Sequence, residues 1–196
     1  MLCQVGTETD LDRTDMVAEL KANGTLGFLI KSETDFHIQN RRGIDYTRRL
    51  PEITQEAKEI NPSYIILGEI VWIDNRGVTV FLGSQRRCGT SNPAKVVTLK
   101  RQYPVNFLAF DILELNGENL RKLPYLQRKE KLFELLKQTK TIQYLPYTKD
   151  KRKYYIECIA KGQEGIILKQ VDSVYEDGVR SHNWLKIKQG YVEVTE

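Results

Sequence analysis

The segment Tyr64–Ile73 constrains the fold more than any other part of the chain. It is apolar and rich in β-branched residues, and the polar quartet Asp74-Asn75-Arg76-Gly77 turns it back into Val78–Leu82, the pattern of a β-hairpin. Further short strands are predicted at Met16–Leu20, Gly27–Lys31, Phe36–Gln39, Val105–Leu115, Gly165–Lys169, Trp184–Lys188 and Tyr191–Thr195. Helices are predicted where Pro51 opens a run that closes before Asn61-Pro62, over the amphipathic stripe Leu126–Leu136, and around Tyr154–Ile159, which Gly162 stops. Strands of many lengths with a few helices between them predict an α+β chain on largely antiparallel sheets. No alternating βαβ pattern and no glycine-rich phosphate loop is present.

Composition narrows the classes. Hydrophobic residues are 40% and charged residues 29% of the 196, values that support a real core and argue against disorder. The longest apolar runs, such as Phe107–Phe110, fall far short of the roughly 20 residues that span a bilayer, so no membrane role is expected. The N-terminus lacks a secretory pattern, and the three scattered cysteines form no disulfide framework or metal cluster. Both features fit a cytoplasmic, reducing environment. Basic residues cluster at Arg41–Arg49, Arg86–Arg101 and Lys149–Lys161, a distribution that permits a polyanionic partner without requiring one. No linker or repeat divides the sequence, which reads as one domain over 1–196.

Five elements carry candidate chemistry. Lys21 ends a strand before Asn23-Gly24, a position from which an amine can project into a cleft. Glu69 and Asp111 are acids inside apolar strands, Asp111 beside Phe110; Glu164 and Lys169 bound the strand Gly165–Leu168. Alternation sets Lys186 and Lys188 on one face of their strand, opposite Leu185 and Ile187. Two ammoniums about 7 Å apart repel unless an anion lies between them. Taken singly, each has a plain structural reading as a turn, a core position or a solvated face.

In order, however, Lys-x-Asn-Gly, Asn-Arg-Arg-Gly, Gly-Glu-Ile-Val, Phe-Asp-Ile-Leu, Glu-Gly-Ile-Ile-Leu-Lys and Trp-Leu-Lys-Ile-Lys resemble the motifs of the covalent nucleotidyltransferases. The flanks Arg42–Thr47, Leu50–Ile53, Phe110–Glu118 and Leu123–Lys129 resemble the adenylation domain of ATP-dependent DNA ligases, nearest to the ligase-D type. The resemblance runs from about Met1 to Lys188. It implies an ATP-grasp-like nucleotidyltransferase fold, two mainly antiparallel sheets flanked by helices.

The resemblance also implies roles. Lys21 would attack the α-phosphate of ATP to form lysyl-AMP, with Lys186 and Lys188 on that phosphate. Glu19 would lie at the adenine amino edge and Phe110 on the base. Glu69 would meet the ribose or a metal-bound water, Arg41 the ribose and then DNA, and Lys169 the nucleotide. Glu164, with Glu69, would hold Mg²⁺ or Mn²⁺. Lysines and metal together would neutralise charge building on phosphorus.

Two departures stand out. The family motif Lys-x-Asp-Gly-x-Arg reads Lys21-Ala22-Asn23-Gly24-Thr25-Leu26, losing an acid and an arginine. After Lys188 only Gln189–Glu196 remain, too few for the five-stranded OB domain of family ligases; that domain is expected to be absent here. The expected partners are therefore nicked double-stranded DNA and a separate OB-domain or end-joining protein. The expected function is DNA ligase adenylation, set against two alternatives: a weakened ligase-like nucleotide- or DNA-binding protein, and an RNA ligase.

Overall fold

The computed structural model describes residues 1–137 and 139–190. In chain order its elements are β1 (Leu2–Val5), a 3-10 turn (Glu8–Asp12), β2 (Met16–Leu20), β3 (Thr25–Lys31), β4 (Phe36–Gln39), α1 (Pro51–Glu59), β5 (Tyr64–Ile73) and β6 (Thr79–Val80). There follow α2 (Phe81–Cys88), α3 (Pro93–Gln102), β7 (Val105–Leu115), β8 (Glu118–Asn119) and α4 (Tyr125–Leu135). The last are β9 (Ile142–Tyr144), β10 (Tyr147–Thr148), α5 (Lys151–Ala160), β11 (Gly165–Gln170) and β12 (Arg180–Lys188). The expected strand Tyr191–Thr195 lies outside the described residues. No helix among the described residues is long and apolar enough to cross a membrane.

The chain divides into two compact units, one of Met1–Ala22, Arg121–Gln127 and the chain from Leu145 onward, the other of Asn23–Leu120 and Arg128–Tyr144. Because the backbone passes between them at four points in the chain, no single stretch of sequence has a linker's composition. Each unit is built on one sheet, giving the expected α+β class with two antiparallel-rich sheets.

In the first unit the strand order is β1-β12-β11-β2-β10. The period-2 pattern sorts its side chains by face. Met16 and Ala18 of β2, Ile166 and Leu168 of β11, and Leu185 and Ile187 of β12 pack with Leu11, Tyr155 and Cys158 into one core. Full burial of each aliphatic side chain contributes about 1.5–3 kcal/mol, so this face fixes the register of β2, β11 and β12. The same register sends Glu19, Lys21, Lys169, Trp184, Lys186 and Lys188 to the opposite face. Helix α5, which covers the core side, starts at Asp150, whose carboxylate accepts from the Lys153 N–H. It ends before Gly162 at φ 79°, the left-handed stop expected from the sequence.

The second unit has the order β4-β3-β5-β7-β8, with β6 on β5 and β9 parallel to β7. The hairpin after β5 is present, but the expected strand Val78–Leu82 shrinks to β6: only Thr79 and Val80 pair with β5, and Phe81 opens α2. The reason is packing. Gly83 lies against Trp72 so closely that a Cβ would sit 2.3 Å from the Trp72 Cβ, and a helix turns Gly83, Ser84, Arg87 and Cys88 inward together. Arg87 is thereby withdrawn from the basic run Arg86–Arg101, fully buried on the Glu52 carboxylate at 2.6 and 2.9 Å.

Strands β5 and β7 are paired with two register slips, at Ile65/Ile66 and Leu67/Gly68. The extra residues on β7 are Leu113 and Phe110, so Phe110 stands at a β-bulge, a device that re-aims a side chain out of the ordinary alternation. The next residue, Asp111, is fully buried and takes a two-pronged ion pair from Arg128, at 2.8 and 3.0 Å. Strand β7 ends in Asn116-Gly117 with φ 54° and 77°, the two-residue turn that returns it to β8.

Candidate active site

Lys21 follows β2 directly, and its position is fixed by backbone first: its N–H donates to the Gly165 carbonyl at 3.0 Å. Gly165 has φ 140°, and a Cβ there would lie 2.0 Å from the Ile187 carbonyl oxygen. Only glycine fits where β11 begins between β2 and β12. This brings Glu164 to Lys21. The Lys21 Nζ donates to Glu164 Oε2 at 2.6 Å, and the Lys188 Nζ donates to Glu164 Oε1 at 2.6 Å. One carboxylate thus holds two ammoniums, one on each oxygen. The three side chains are 20%, 22% and 35% exposed for Lys21, Glu164 and Lys188. Partial burial pushes the Glu164 carboxyl up, but hydrogen bonds from Lys188 and Lys21 outweigh it and hold it below its ordinary range.

One row along the same face, Glu19 of β2, Ile167 of β11 and Lys186 of β12 lie opposite one another. Lys186 is part-exposed and has no ion-pair partner among the described residues, which leaves its charge available for an anion. Glu19 differs. It is 1% exposed, its Oε2 pairs with Lys169 Nζ at 2.5 Å, and its Oε1 accepts from the Tyr125 hydroxyl at 2.5 Å. Lys169 itself is boxed by aromatic rings, 4.2 Å from the Trp184 centroid and 5.0 Å from that of Tyr125. Cys3 of β1 shares this neighbourhood: burial pushes its thiol up, while the charges of Lys169, Lys21 and Lys186 pull it back.

The structure therefore gathers Lys21, Glu164, Lys186, Lys188, Glu19 and Lys169 on one face of the first unit's sheet. The remaining residues singled out by the sequence belong to the second unit. Glu69, half-buried on β5, stands between Leu26 of β3 and Leu108 of β7 in the register. Phe110 is part-exposed at its bulge. Arg41 is exposed in the loop after β4, where the Asn40 side chain accepts from the Arg42 and Ile44 N–H groups. The two departures from the family motif are also in the second unit. The Asn23 N–H donates to Thr79 Oγ1 at 3.0 Å, and Leu26 puts a hydrocarbon opposite Glu69 where the family has arginine. Gly24 approaches β5 closely: a Cβ would lie 2.3 Å from the Ile70 oxygen and 2.8 Å from Glu69 Cγ.

Tyr125 is the residue of this site that sequence reasoning passed over. No spacing rule links it to Glu19, which lies 106 positions away. The one available signal was a phenol placed at a helix start among residues that otherwise face a core.

Three comparisons bear on the arrangement. A family model described as "ATP dependent DNA ligase domain" matches residues 1–188. A probable DNA ligase of Dictyoglomus turgidum is 31% identical over 181 residues, covering 88% of this chain and 31% of that protein. The bifunctional non-homologous end joining protein LigD of Bacillus subtilis is 32% identical over 197 residues, covering 90% and 32%. Among solved structures, a mycobacterial DNA ligase D complexed with ATP and MES superposes with a TM-score of 0.79 at 27% identity, covering 96% of this chain and 59% of that one. The chain spans about a third of the length of these curated relatives.

Proposed function

The chain belongs to the ATP-dependent DNA ligase domain family, and from that membership we propose that it forms a covalent lysyl-AMP at Lys21 and passes the AMP to a 5′-phosphate at a nick in DNA. The observation that carries the reading is the Lys21–Glu164–Lys188 bridge, which sets a nucleophilic amine beside a second cation on the face that also presents Lys186.

While it is engaged with Glu164 the Lys21 side chain cannot attack. Attack requires that Lys21 leave Glu164 and give up a proton to solvent. The free amine then bonds to the α-phosphorus of ATP as the bond to the pyrophosphate oxygen breaks. Lys188, freed from the same carboxylate, and Lys186 meet the charge that builds on the phosphoryl oxygens, the dominant contribution to such a reaction. In the second step a 5′-phosphate oxygen attacks the same phosphorus and Lys21 leaves, regaining a proton. Attack by the neighbouring 3′-hydroxyl then expels AMP and closes the strand. Phe110, re-aimed by its bulge, is assigned to the base, Glu69 and Arg41 to the ribose, and Glu19 to the adenine amino edge.

The described residues preform no site for a divalent cation, and Mg²⁺ or Mn²⁺ is proposed from the family membership alone. Among the described residues no three His, Cys, Asp or Glu side chains form a metal-binding group, and both oxygens of Glu164 hold ammoniums. A cation would keep phosphate and water ligands, as Mg²⁺ prefers, with Glu164 of the first unit or Glu69 of the second as a carboxylate that would help hold it. When bound it supplies neutralisation of the leaving pyrophosphate.

The proposed partners are nicked double-stranded DNA and, on the similarity to LigD, an end-joining protein in a cytoplasmic repair setting. The second reading, a binding protein of weakened catalysis, rests on Asn23 and on Leu26 facing Glu69. Incubation with α-labelled ATP and Mg²⁺ or Mn²⁺ separates the two. The ligase reading expects acid-labile, alkali-stable protein label that Lys21→Ala abolishes; no label with either metal favours the second. Sealing of nicked DNA in preference to nicked RNA distinguishes a DNA ligase from an RNA ligase.

A further inference from the structure

Helix α5 holds both members of the Glu164–Lys188 pair, and one of its two grips is a side chain that the proposed chemistry leaves unused. Toward Glu164 the grip is backbone: α5 closes through the Gly162 turn, where the Gln163 N–H donates to the Cys158 carbonyl at 2.9 Å. Toward Lys188 it is Tyr155, whose hydroxyl donates to the Lys188 carbonyl at 3.1 Å. Tyr155 and Cys158 lie one helical turn apart, on the face of α5 that packs into the core. The Tyr155 side chain is 1% exposed, in the same core as Met16, Ile166, Leu185 and Ile187. A phenylalanine would fill that space equally well, so packing does not account for the hydroxyl. Burial and then the charge of Glu8 push the phenol up, which keeps it a neutral donor near neutrality. Its acceptor sits where the ladder stops: Lys188 is the last residue of β12 and pairs with Gly165, the first of β11. The end of a strand frays unless something outside the ladder holds it.

We infer that Tyr155 is the positioning residue of Lys188, its hydroxyl fixing the end of β12 from which that lysine reaches Glu164 and then the phosphate. The kinetic consequence rests on the reading of Lys188 as a cation that meets the phosphoryl oxygens. A lysine side chain is flexible along its whole stem, so its ammonium is only as well placed as its backbone. With carboxylate and ammonium both tied to one helix, their 2.6 Å contact is set by a single rigid frame. Lys21 is placed independently, by its own N–H on the Gly165 carbonyl. Loss of the phenol's hydrogen bond therefore loosens Lys188 and leaves Lys21 where it is. Because Lys188 acts on charge that builds during the reaction, the loss falls on the rate and not on the binding of ATP.

The test reads each lysine separately, by mass spectrometry after brief treatment of the chain alone with N-hydroxysuccinimidyl acetate. An amine released from a carboxylate gives up its proton more readily and is acylated faster. Tyr155→Phe is expected to raise the acetylation rate of Lys188 relative to that of Lys21 by about three- to tenfold, the range that one hydrogen bond spans. With ATP and Mg²⁺ the same variant is expected to form lysyl-AMP about three- to tenfold more slowly at saturating ATP, its KM for ATP within about twofold of the parent's. An unchanged ratio, or equal rises at both lysines, overturns the inference, since a general loosening of the core moves both. An unchanged rate of AMP formation overturns it too. Should Tyr155→Phe not fold, Tyr155→Met serves with the same expectations, as methionine also fills the core without a donor. Failure of both to fold overturns the inference by making the phenol a requirement of the core. Absence of AMP on the unmodified chain instead removes the ligase reading, and a rise confined to Lys188 then still upholds the tie from Tyr155.

Discussion

Replacing Glu164 by Gln keeps the shape of the bridge and removes its charge, so the outcome reports what that charge does. In the folded chain the carboxylate accepts from Lys21 and Lys188 at 2.6 Å each. A charge-assisted hydrogen bond contributes about 1.5–3 kcal/mol, and the one to Lys188 is discounted because that side chain is 35% exposed. With Gln the two ammoniums also face each other uncompensated. At a separation of about 6 Å and an effective dielectric of about 20, their repulsion is about 3 kcal/mol before screening. Allowing for relaxation of two flexible lysines, we expect Glu164→Gln to cost about 2–4 kcal/mol at pH 7, read by urea unfolding. The pH dependence fixes the cause. The folded-state pKa of Glu164 is lowered, so its stabilisation is fully present above the unfolded carboxyl pKa of about 4.3 and is lost as pH falls through the lowered folded value. The gap between the parent and Glu164→Gln should therefore close progressively below about pH 4. A gap of equal size at pH 7 and pH 3 would refute the charge-bridge account, since a neutral glutamic acid and a glutamine should then be alike.

Three further outcomes are expected. Arg128→Met strands the fully buried Asp111 carboxylate and should cost about 3–5 kcal/mol in urea unfolding; a loss under about 1 kcal/mol would mean that the pair is compensated elsewhere. Gly24→Ala forces a methyl to within 2.3 Å of the Ile70 oxygen and should destabilise by about 1–3 kcal/mol, whereas unchanged stability would show that this segment shifts freely. The double change Asn23→Asp with Leu26→Arg restores the family motif, places a guanidinium opposite Glu69, and should raise the rate of Lys21 labelling by about tenfold; a flat or lower rate would show a site adapted to Asn23 and Leu26.

Much of the framework was legible because burial imposes simple periods. The runs at Met16–Leu20, Tyr64–Ile73 and Val105–Leu115 announce strands, and the alternation in Trp184–Lys188 correctly divides Leu185 and Ile187 from Lys186 and Lys188. Other features left no such trace. Helix α2 contains a glycine and follows a β-branched run, so local preference points to strand, while packing of Gly83 on Trp72 decides for helix. Helix α3 carried a readable start, with Asn92 capping and Pro93 in the first turn, but so few of its residues are buried that no stripe marked it. The bulge at Phe110 adds one residue to a strand, a change that alternation within a continuous apolar run conceals. At the site, motif order named Lys21, Glu164 and Lys188 separately. That one carboxylate grips both lysines, and that Glu19 is sealed by Tyr125 and Lys169, depends on strand register and on partners more than a hundred positions apart.

The central claim is that Lys21 takes AMP covalently. Tandem mass spectrometry of the chain after incubation with ATP and Mg²⁺ or Mn²⁺ tests it directly. The account predicts a single AMP adduct mapping to Lys21, gained by neither Lys186 nor Lys188. An adduct on any other residue, or none under either metal, would contradict it.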